Sequence, residues 1–487
     1  MPAPTERQSI KVAAERTVLA AVRLPDDRYD LNDPFGELRE LAAQAGAVIV
    51  GEIEQRLDRP VAGTYMGTGK IEELRGLCEM VEAKTIIFDH ELSPKQIAAI
   101  ERATERKVLD RSELILDIFA SRATTHEAKL QVEIAQLEYT YPRLRAMWDH
   151  LERIVGSGGI GGVGTRGPGE QQLEIDRRLV QRRKKQLQTE LSQIQARKRR
   201  QVQARNADHF AVGLVGYTNA GKSTLFNALT AGGAYADDRV FATLMTRTRE
   251  WDLKTGDGQG GVTAMLSDTV GFVRDLPHHL VASFRATLEE ATHADLLLLV
   301  LDVADPAAEL HYDTVRRTLD ELFDEVRAAE RKARDAAERN GGQVDAYEPP
   351  PVVLLLNKAD LLDDQRECLI WQTRHPGAIA VCALTDQDGR LRIGHEELVT
   401  RVRREMDGEP IEMSLRIPLR DAKTIHALES RGRVIDREYE SDNATLRVEI
   451  GPKLVERLQI GGARIAIIGE SAEEPSGSGW KPAPEGL

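Results

Sequence analysis

The sequence predicts an α/β protein of several domains, and three observations carry that reading. Near-continuous apolar runs, Phe210–Val215, Leu296–Val303 and Val352–Leu356, have the texture of parallel strands buried on both faces. Strand–loop–helix alternation surrounds them, as it does in a smaller way before residue 110. The chain has 487 residues, about three domains at roughly 150 residues each.

The first segment, 1–110, reads as a small α/β domain. Thr17–Val22 and Ala47–Val50 are strands around the helix Gly36–Ala45, and Thr85–Phe88 is a further strand. Ser93 caps the next helix, with Pro94 at its first position. The second segment, 111–206, is helical. Leu130, Ile134, Leu137, Leu144, Met147 and Leu151 recur at helical spacing, and Leu173, Val180, Leu187 and Ile194 stand seven apart, with Leu191 in support. Pro142 interrupts the first arm. Between the arms, eight of the fourteen residues from Gly156 to Gly169 are glycine, so the pattern predicts an antiparallel helical hairpin with a glycine-rich tip.

The third segment, 207–408, holds the buried strands, with Val326–Asn340 as an exposed helix extension. The fourth, 409–470, is a small strand-rich α+β domain in which SLRIPL and ATLRVEI alternate at period two. The tail 471–487 has the composition of a disordered segment.

Composition excludes several classes. Hydrophobic residues make up 41%, enough for packed cores, and the net charge of −13 excludes a chain that is basic throughout. Cys78, Cys368 and Cys382 lack the spacing of a zinc module or a disulfide framework, so a reducing cytoplasm is expected. The longest aliphatic run, Leu296–Leu301, is far short of the ~20 residues that span a bilayer. The opening MPAPTERQSIK has no apolar stretch of a secretory signal.

The chemistry is written in three loops. Gly216, Tyr217, Thr218, Asn219, Ala220, Gly221, Lys222 and Ser223 fit G-x-x-x-x-G-K-[ST] between a buried strand and a helix that Thr224 continues. Backbone amides of such a loop cradle phosphates, Lys222 neutralises β/γ charge, and Ser223 ligates Mg²⁺. In SDTVG, Asp268 faces the metal and the Gly271 amide reaches a γ-phosphate. In NKAD, Asp360 accepts from both N–H edges of guanine, Asn357 bonds the base and braces the loop, and the Lys358 stem lies against the ring. Adenine offers no such pair of donors, so the ligand expected is GTP.

Two further pieces complete the site. Thr243 in FATLMTRTRE is the expected switch threonine for Mg²⁺ and the γ-phosphate, with Thr246 the second choice. In VCAL, the backbone at Cys382 and Ala383 is expected at guanine O6. Phe272 follows DTVG where Ras-like enzymes place a water-orienting Gln, so intrinsic hydrolysis should be slow. Asn219 stands where several such GTPases hold K⁺, a source of transition-state charge in place of an arginine finger. YMGTGK, Tyr65–Lys70, lacks the spacing of a second phosphate loop and reads as a turn opening the helix IEELRGLCEMVE.

At this point the sequence resembles the HflX family of ribosome-associated GTPases, over about residues 15–460. RPVAGTYMGTGKIEEL, ELSPKQ, LDRSELILDIFASRATTHEAKLQVEIAQLEYTYPRL, GTRGPGEQQLEIDRR and DTVGFVRDLP match its landmarks in order. The resemblance implies GTP-dependent binding to the large ribosomal subunit and splitting of stalled or idle ribosomes under stress, with the hairpin tip reaching toward the peptidyl-transferase centre. Three features depart from the family pattern: FATLMTRTR where members read FATLDPTTR, a longer Arg327–Pro350 stretch, and DQDG after VCAL.

Charge patterning supports the same partner. Glu174–Arg205 holds eleven Lys/Arg against three acids, a net +8 that leaves −21 elsewhere. A basic helix beside a glycine-rich loop suits rRNA phosphate contact, with Arg153 and Arg166 flanking the loop. A solvated helix face and a plain connector are the alternatives. A monomer is expected. Two other functions stay open from the residues: a non-turning nucleotide switch acting in hibernation or assembly, and an ATP-dependent RNA-remodelling enzyme using the N-terminal domain.

Overall fold

The computed structural model describes residues 15–25, 27–123, 125–139, 178–194, 197, 210–230, 247–253, 262–269, 271–274, 291–338, 347–387, 389–440, 442–460 and 462–470. Two compact units are present: one is built from the N-terminal region through Arg249 and from Met265–Ile393, the other from Glu250–Ala264 and the region after Gly394.

The first unit opens with a four-stranded sheet of β1 (Arg16–Arg23), β2 (Val48–Arg56), β3 (Thr85–Phe88) and β4 (Lys107–Asp110). Its order is β2-β1-β3-β4 and every pairing is parallel. The apolar residues of β1 and β3 are buried because helices cover both faces. On one side lie α1 (Gly36–Gln44) and α4 (Arg111–Arg122), whose Leu38, Leu41, Leu114 and Ile118 share a core with Leu19 and Ile87. On the other, α2 (Thr68–Met80) and α3 (Pro94–Thr104) pack Leu74, Ile97 and Ile100 against Val18 and Ile86. A capping box of Ser93 and Gln96 starts α3. Asp110 caps α4 by accepting from Glu113 N. The sequence reading began the helical segment at residue 111, whereas α4 belongs to this core.

Residues 126–139 and 178–194 are helical and face one another through Leu130, Ile134, Leu187 and Leu191. A His126–Glu190 hydrogen bond and an Arg183–Glu133 ion pair, both 2.8 Å, show the two segments to be antiparallel. The expected glycine-rich tip, with Arg153 and Arg166, lies outside the described residues.

The second sheet of this unit has the order β10-β9-β8-β5-β7-β6. Its strands are β5 (Ala211–Gly216), β6 (Arg247–Asp252), β7 (Thr263–Asp268), β8 (Leu296–Asp302), β9 (Val352–Asn357) and β10 (Ile379–Ala380). All pairings from β10 to β7 are parallel. The chain builds β7 on one side of β5 and β8, β9 and β10 on the other. The loops after β5, β7 and β9 therefore open at one edge, where α/β sheets bind ligands. Among the described residues, helices α5 (Lys222–Leu229), α6 (Ala308–Glu338) and α7 (Arg366–Arg374) accompany this sheet, and a short hairpin pairs β11 (Cys382–Thr385) with β12 (Leu391–Ile393). Of the predicted extension Val326–Asn340, residues 326–338 are the end of α6, one continuous 31-residue helix, and 339–340 lie outside the described residues.

The second unit contains α8 (His395–Asp407), β13 (Ile411–Pro418), α9 (Ala422–Arg431), β14 (Arg433–Tyr439), β15 (Asn443–Ile450), α10 (Pro452–Ile460) and β16 (Ala466–Glu470). Its antiparallel sheet has the order β14-β15-β13-β16, the arrangement of a split β-α-β fold. Met413, Leu415, Leu446 and Val448 alternate inward, as the period-two pattern predicts, and meet Leu428 and Leu454 of the helices. All three cysteines are buried and unpaired. Among the described residues, no helix is long and apolar enough to cross a membrane.

Candidate nucleotide site

The three sequence loops meet at one edge of the six-stranded sheet. Gly221 ends the phosphate loop with φ +92°, and a Cβ there would lie 2.3 Å from Asn357 Nδ2, so glycine is required both for backbone shape and for space. Asn357 uses both ends of its amide: Nδ2 donates to Ala220 O at 2.8 Å, and Oδ1 accepts from Ala383 N at 3.2 Å. The residue predicted to brace the base loop thus ties it to the phosphate loop and to the 382–383 segment. The Ala383 amide, expected at guanine O6, is engaged by Asn357. Lys358 is fixed by an ion pair to Asp302 at 2.6 Å, which directs its stem. Asp360 lies in the short turn that follows, at Ala359–Leu361. Cys382 is buried, and burial raises its thiol pKa, so it is a neutral packing residue here.

Lys222 is buried at the start of α5 and donates to Tyr217 O at 2.6 Å. Burial lowers its pKa to about 8, against the raising effect of Asp268. Ser223 donates its hydroxyl to Asp268 Oδ2 at 2.8 Å. A hydroxyl and a buried carboxylate side by side are two hard oxygen donors, a set that fits Mg²⁺, which takes few protein oxygens and completes its shell with phosphate and water. Thr243, the third predicted ligand, and Thr246 lie outside the described residues. Asn219 is exposed with a left-handed φ of +62°, and Thr218 is buried.

Gly271 crosses directly over this loop. A Cβ on it would sit 2.8 Å from Thr218 Cγ2 and 3.0 Å from Lys222 Nζ, so only glycine permits the approach. The next residue, Phe272, donates its amide to Gly216 O at 3.0 Å and accepts from Thr218 N at 2.8 Å. Its ring is buried with Tyr217 in the core.

Tyr217 makes contacts beyond the phosphate loop through its side chain. Its carbonyl faces Lys222, but its side chain turns away from the loop into the N-terminal sheet region, where it donates to Glu37 Oε1 at 2.5 Å. Around it lies a charged cluster that sequence reasoning did not assemble. Asp89, at the end of β3 and 1% exposed, pairs with Arg23 at 2.8 Å, Arg111 at 2.7 Å and Arg274 at 2.9 Å. Glu37 pairs with Arg111 at 2.8 Å. Burial pushes the Asp89 carboxyl up, but Arg111, Arg274 and Arg23 outweigh it and bring it down to about 2. Burial also opposes ionisation of Glu37, and Arg111 with Arg274 more than reverses that. The available signal was local: Asp89 and Arg111 each stand where an apolar run meets a charge, in TIIFDH and LDRSELIL.

Comparison with known proteins places this geometry. Residues 32–120 match a family described as GTP-binding GTPase N-terminal, 122–205 the GTP-binding GTPase Middle Region, and 211–337 the 50S ribosome-binding GTPase. The chain is 36% identical to a GTPase HflX of Caldanaerobacter subterraneus subsp. tengcongensis, over 91% of its own length and 93% of that protein. It is 36% identical to the GTPase HflX of Escherichia coli (strain K12), over 91% of this chain and 95% of the other. With the GTPase HflX of Lacrimispora saccharolytica it shares 45% identity over 65% of its own length and 73% of that protein. Matched along its N-terminal, middle and GTPase regions, the chain belongs to the HflX family of GTPases.

Proposed function

We propose that this GTPase binds the large ribosomal subunit and, in its GTP-bound state, splits stalled or idle ribosomes in the cytoplasm. The observation that carries the reading is the match of the phosphate-loop region, 211–337, to 50S ribosome-binding GTPases. The exposed basic helix supports it, since Arg182 and Lys185 face solvent on the second arm and suit rRNA phosphates.

The amides of Gly216–Thr224 and the N-terminus of α5 receive the phosphates. Lys222 exchanges the Tyr217 carbonyl for β/γ oxygens. Ser223, Asp268 and Thr243 would hold Mg²⁺, which would supply charge neutralisation on the phosphate oxygens. The Gly271 amide takes the γ-phosphate, and Asp360 selects guanine. Asn219 is the residue beside which K⁺ would supply further positive charge. Phe272 has no group that orients water, so turnover is slow until the ribosome completes the site.

GTP turnover of the purified chain, measured with and without large subunits, tests this. Stimulation by the subunit is expected. Binding without stimulation favours instead the non-turning switch, a reading supported by the burial of Phe272.

A further inference from the structure

Only the backbone of a phosphate loop is needed for phosphate, so the side chain at its second position is free to serve another purpose. Here that side chain is Tyr217, 5% exposed and stacked on His311 with ring centroids 4.0 Å apart. Its hydroxyl donates to Glu37 Oε1 at 2.5 Å and accepts from Arg274 N at 2.9 Å. Arg274 N also donates to Glu37 Oε1, at 3.2 Å. Glu37 stands in the first turn of α1, in the N-terminal four-stranded domain, and is held by Arg111. One carboxylate outside the GTPase fold therefore touches two segments of the nucleotide site: the phosphate loop through Tyr217, and the segment after DTVG through Arg274. The same tyrosine's carbonyl holds the Lys222 ammonium.

We infer that Glu37 is a positioning residue for guanine-nucleotide binding, which slows nucleotide release by latching the phosphate loop through the Tyr217 hydroxyl. The inference rests on the reading of Gly216–Ser223 as the guanine-nucleotide phosphate site. A bond to the phosphate loop acts on GDP and GTP alike. A bond that acted only through Gly271 would affect GTP alone, because only GTP carries a γ-phosphate. A fixed loop has less order to gain on binding, so cutting the latch lowers affinity through faster release.

The test is stopped-flow release of N-methylanthraniloyl-GDP and the corresponding GTP analogue from the full chain and from Glu37→Ala, Glu37→Gln, Tyr217→Phe and the double variant Glu37→Ala/Tyr217→Phe. Glu37→Ala and Tyr217→Phe should each speed release of both nucleotides about tenfold, the effect of one charge-assisted hydrogen bond. The double variant should be no faster than Glu37→Ala alone, because the bond that Tyr217→Phe cuts is one that Glu37→Ala has already removed. Glu37→Gln keeps an acceptor and should recover most of the wild-type rate. In GTP turnover by Glu37→Ala, KM should rise more than kcat changes, as loss of ground-state binding requires.

Release from Glu37→Ala within about twofold of wild type, or effects that multiply in the double variant, would overturn the inference. Tyr217→Phe removes a single oxygen and decides the matter if Glu37→Ala does not fold. Wild type that fails to bind the GDP probe would sink the functional reading and the inference with it; wild type that binds it while the variants release it at the wild-type rate sinks the inference alone.

Discussion

The phosphate loop and the Asp89 cluster share Tyr217's neighbourhood, yet different forces hold them. The loop is kept mainly by backbone bonds and neutral amides, Phe272 to Gly216 and Thr218 and Asn357 to Ala220 and Ala383, with the Tyr217–Glu37 bond as its tie to the charged cluster. Its one buried cation, Lys222, rests on a carbonyl that it can exchange for a ligand. The cluster is held by charge. Asp89 faces three arginines and Glu37 a fourth contact to Arg111, with little solvent to screen them. A site that must accept phosphate keeps its donors lightly engaged, whereas one that must hold position satisfies its charges internally.

The sharpest break in that comparison is Lys222→Ala. It removes charge aimed at the transferring phosphate and should cut single-turnover GTP hydrolysis by about 10²- to 10³-fold while the fold survives. Chemical-quench assays with urea melts check both halves. A large loss of stability in place of activity would mean that the lysine is structural.

Asp89→Asn should do the reverse. Leaving Arg23, Arg111 and Arg274 without their shared carboxylate costs about 3 kcal/mol of unfolding free energy, read from urea denaturation. The same carboxyl sets an acid limit. Its folded pKa of about 2 lies below the usual unfolded value of about 3.9. Its contribution, about 2–3 kcal/mol, is therefore complete above pH ~4 and lost as pH falls toward 2. The Asn variant should show a flatter stability curve across that window; an identical curve would remove Asp89 as the cause.

Asp360→Asn should weaken GDP binding by about 10- to 100-fold and shift preference toward xanthosine nucleotides. Competition binding with GDP and XDP measures it, and retained guanine selectivity would move the base contact elsewhere. The smallest effects belong to the basic arm. Arg182→Ala or Lys185→Ala should each lower the salt dependence of large-subunit binding by about one in log–log slope. Unchanged slopes would assign these side chains to a solvated helix face.

These differences also explain what the sequence made legible. GYTNAGKS, DTVG and NKAD are short because each cradles its ligand with adjacent residues, so spacing alone exposes them. The period-two strands of the last domain and the helical spacing of the two arms are equally local; the strands appear in the fold, and of the arms Leu130, Ile134, Leu187 and Leu191 pack together among the described residues. The Asp89 cluster draws on Arg23, Glu37, Asp89, Arg111 and Arg274, whose meeting depends on the strand order β2-β1-β3-β4 and on packing against the phosphate loop. No spacing rule encodes that. For the same reason α4, helical by pattern, revealed its place in the N-terminal core only through the partners of Leu114 and Ile118.

The central claim, that the GTP-bound chain splits ribosomes, is tested most directly by light scattering of intact ribosomes after mixing with the protein. A fall in scattering with GTP and none with GDP is the predicted result. Scattering that stays level with GTP, at protein concentrations that saturate the large subunit, would contradict it.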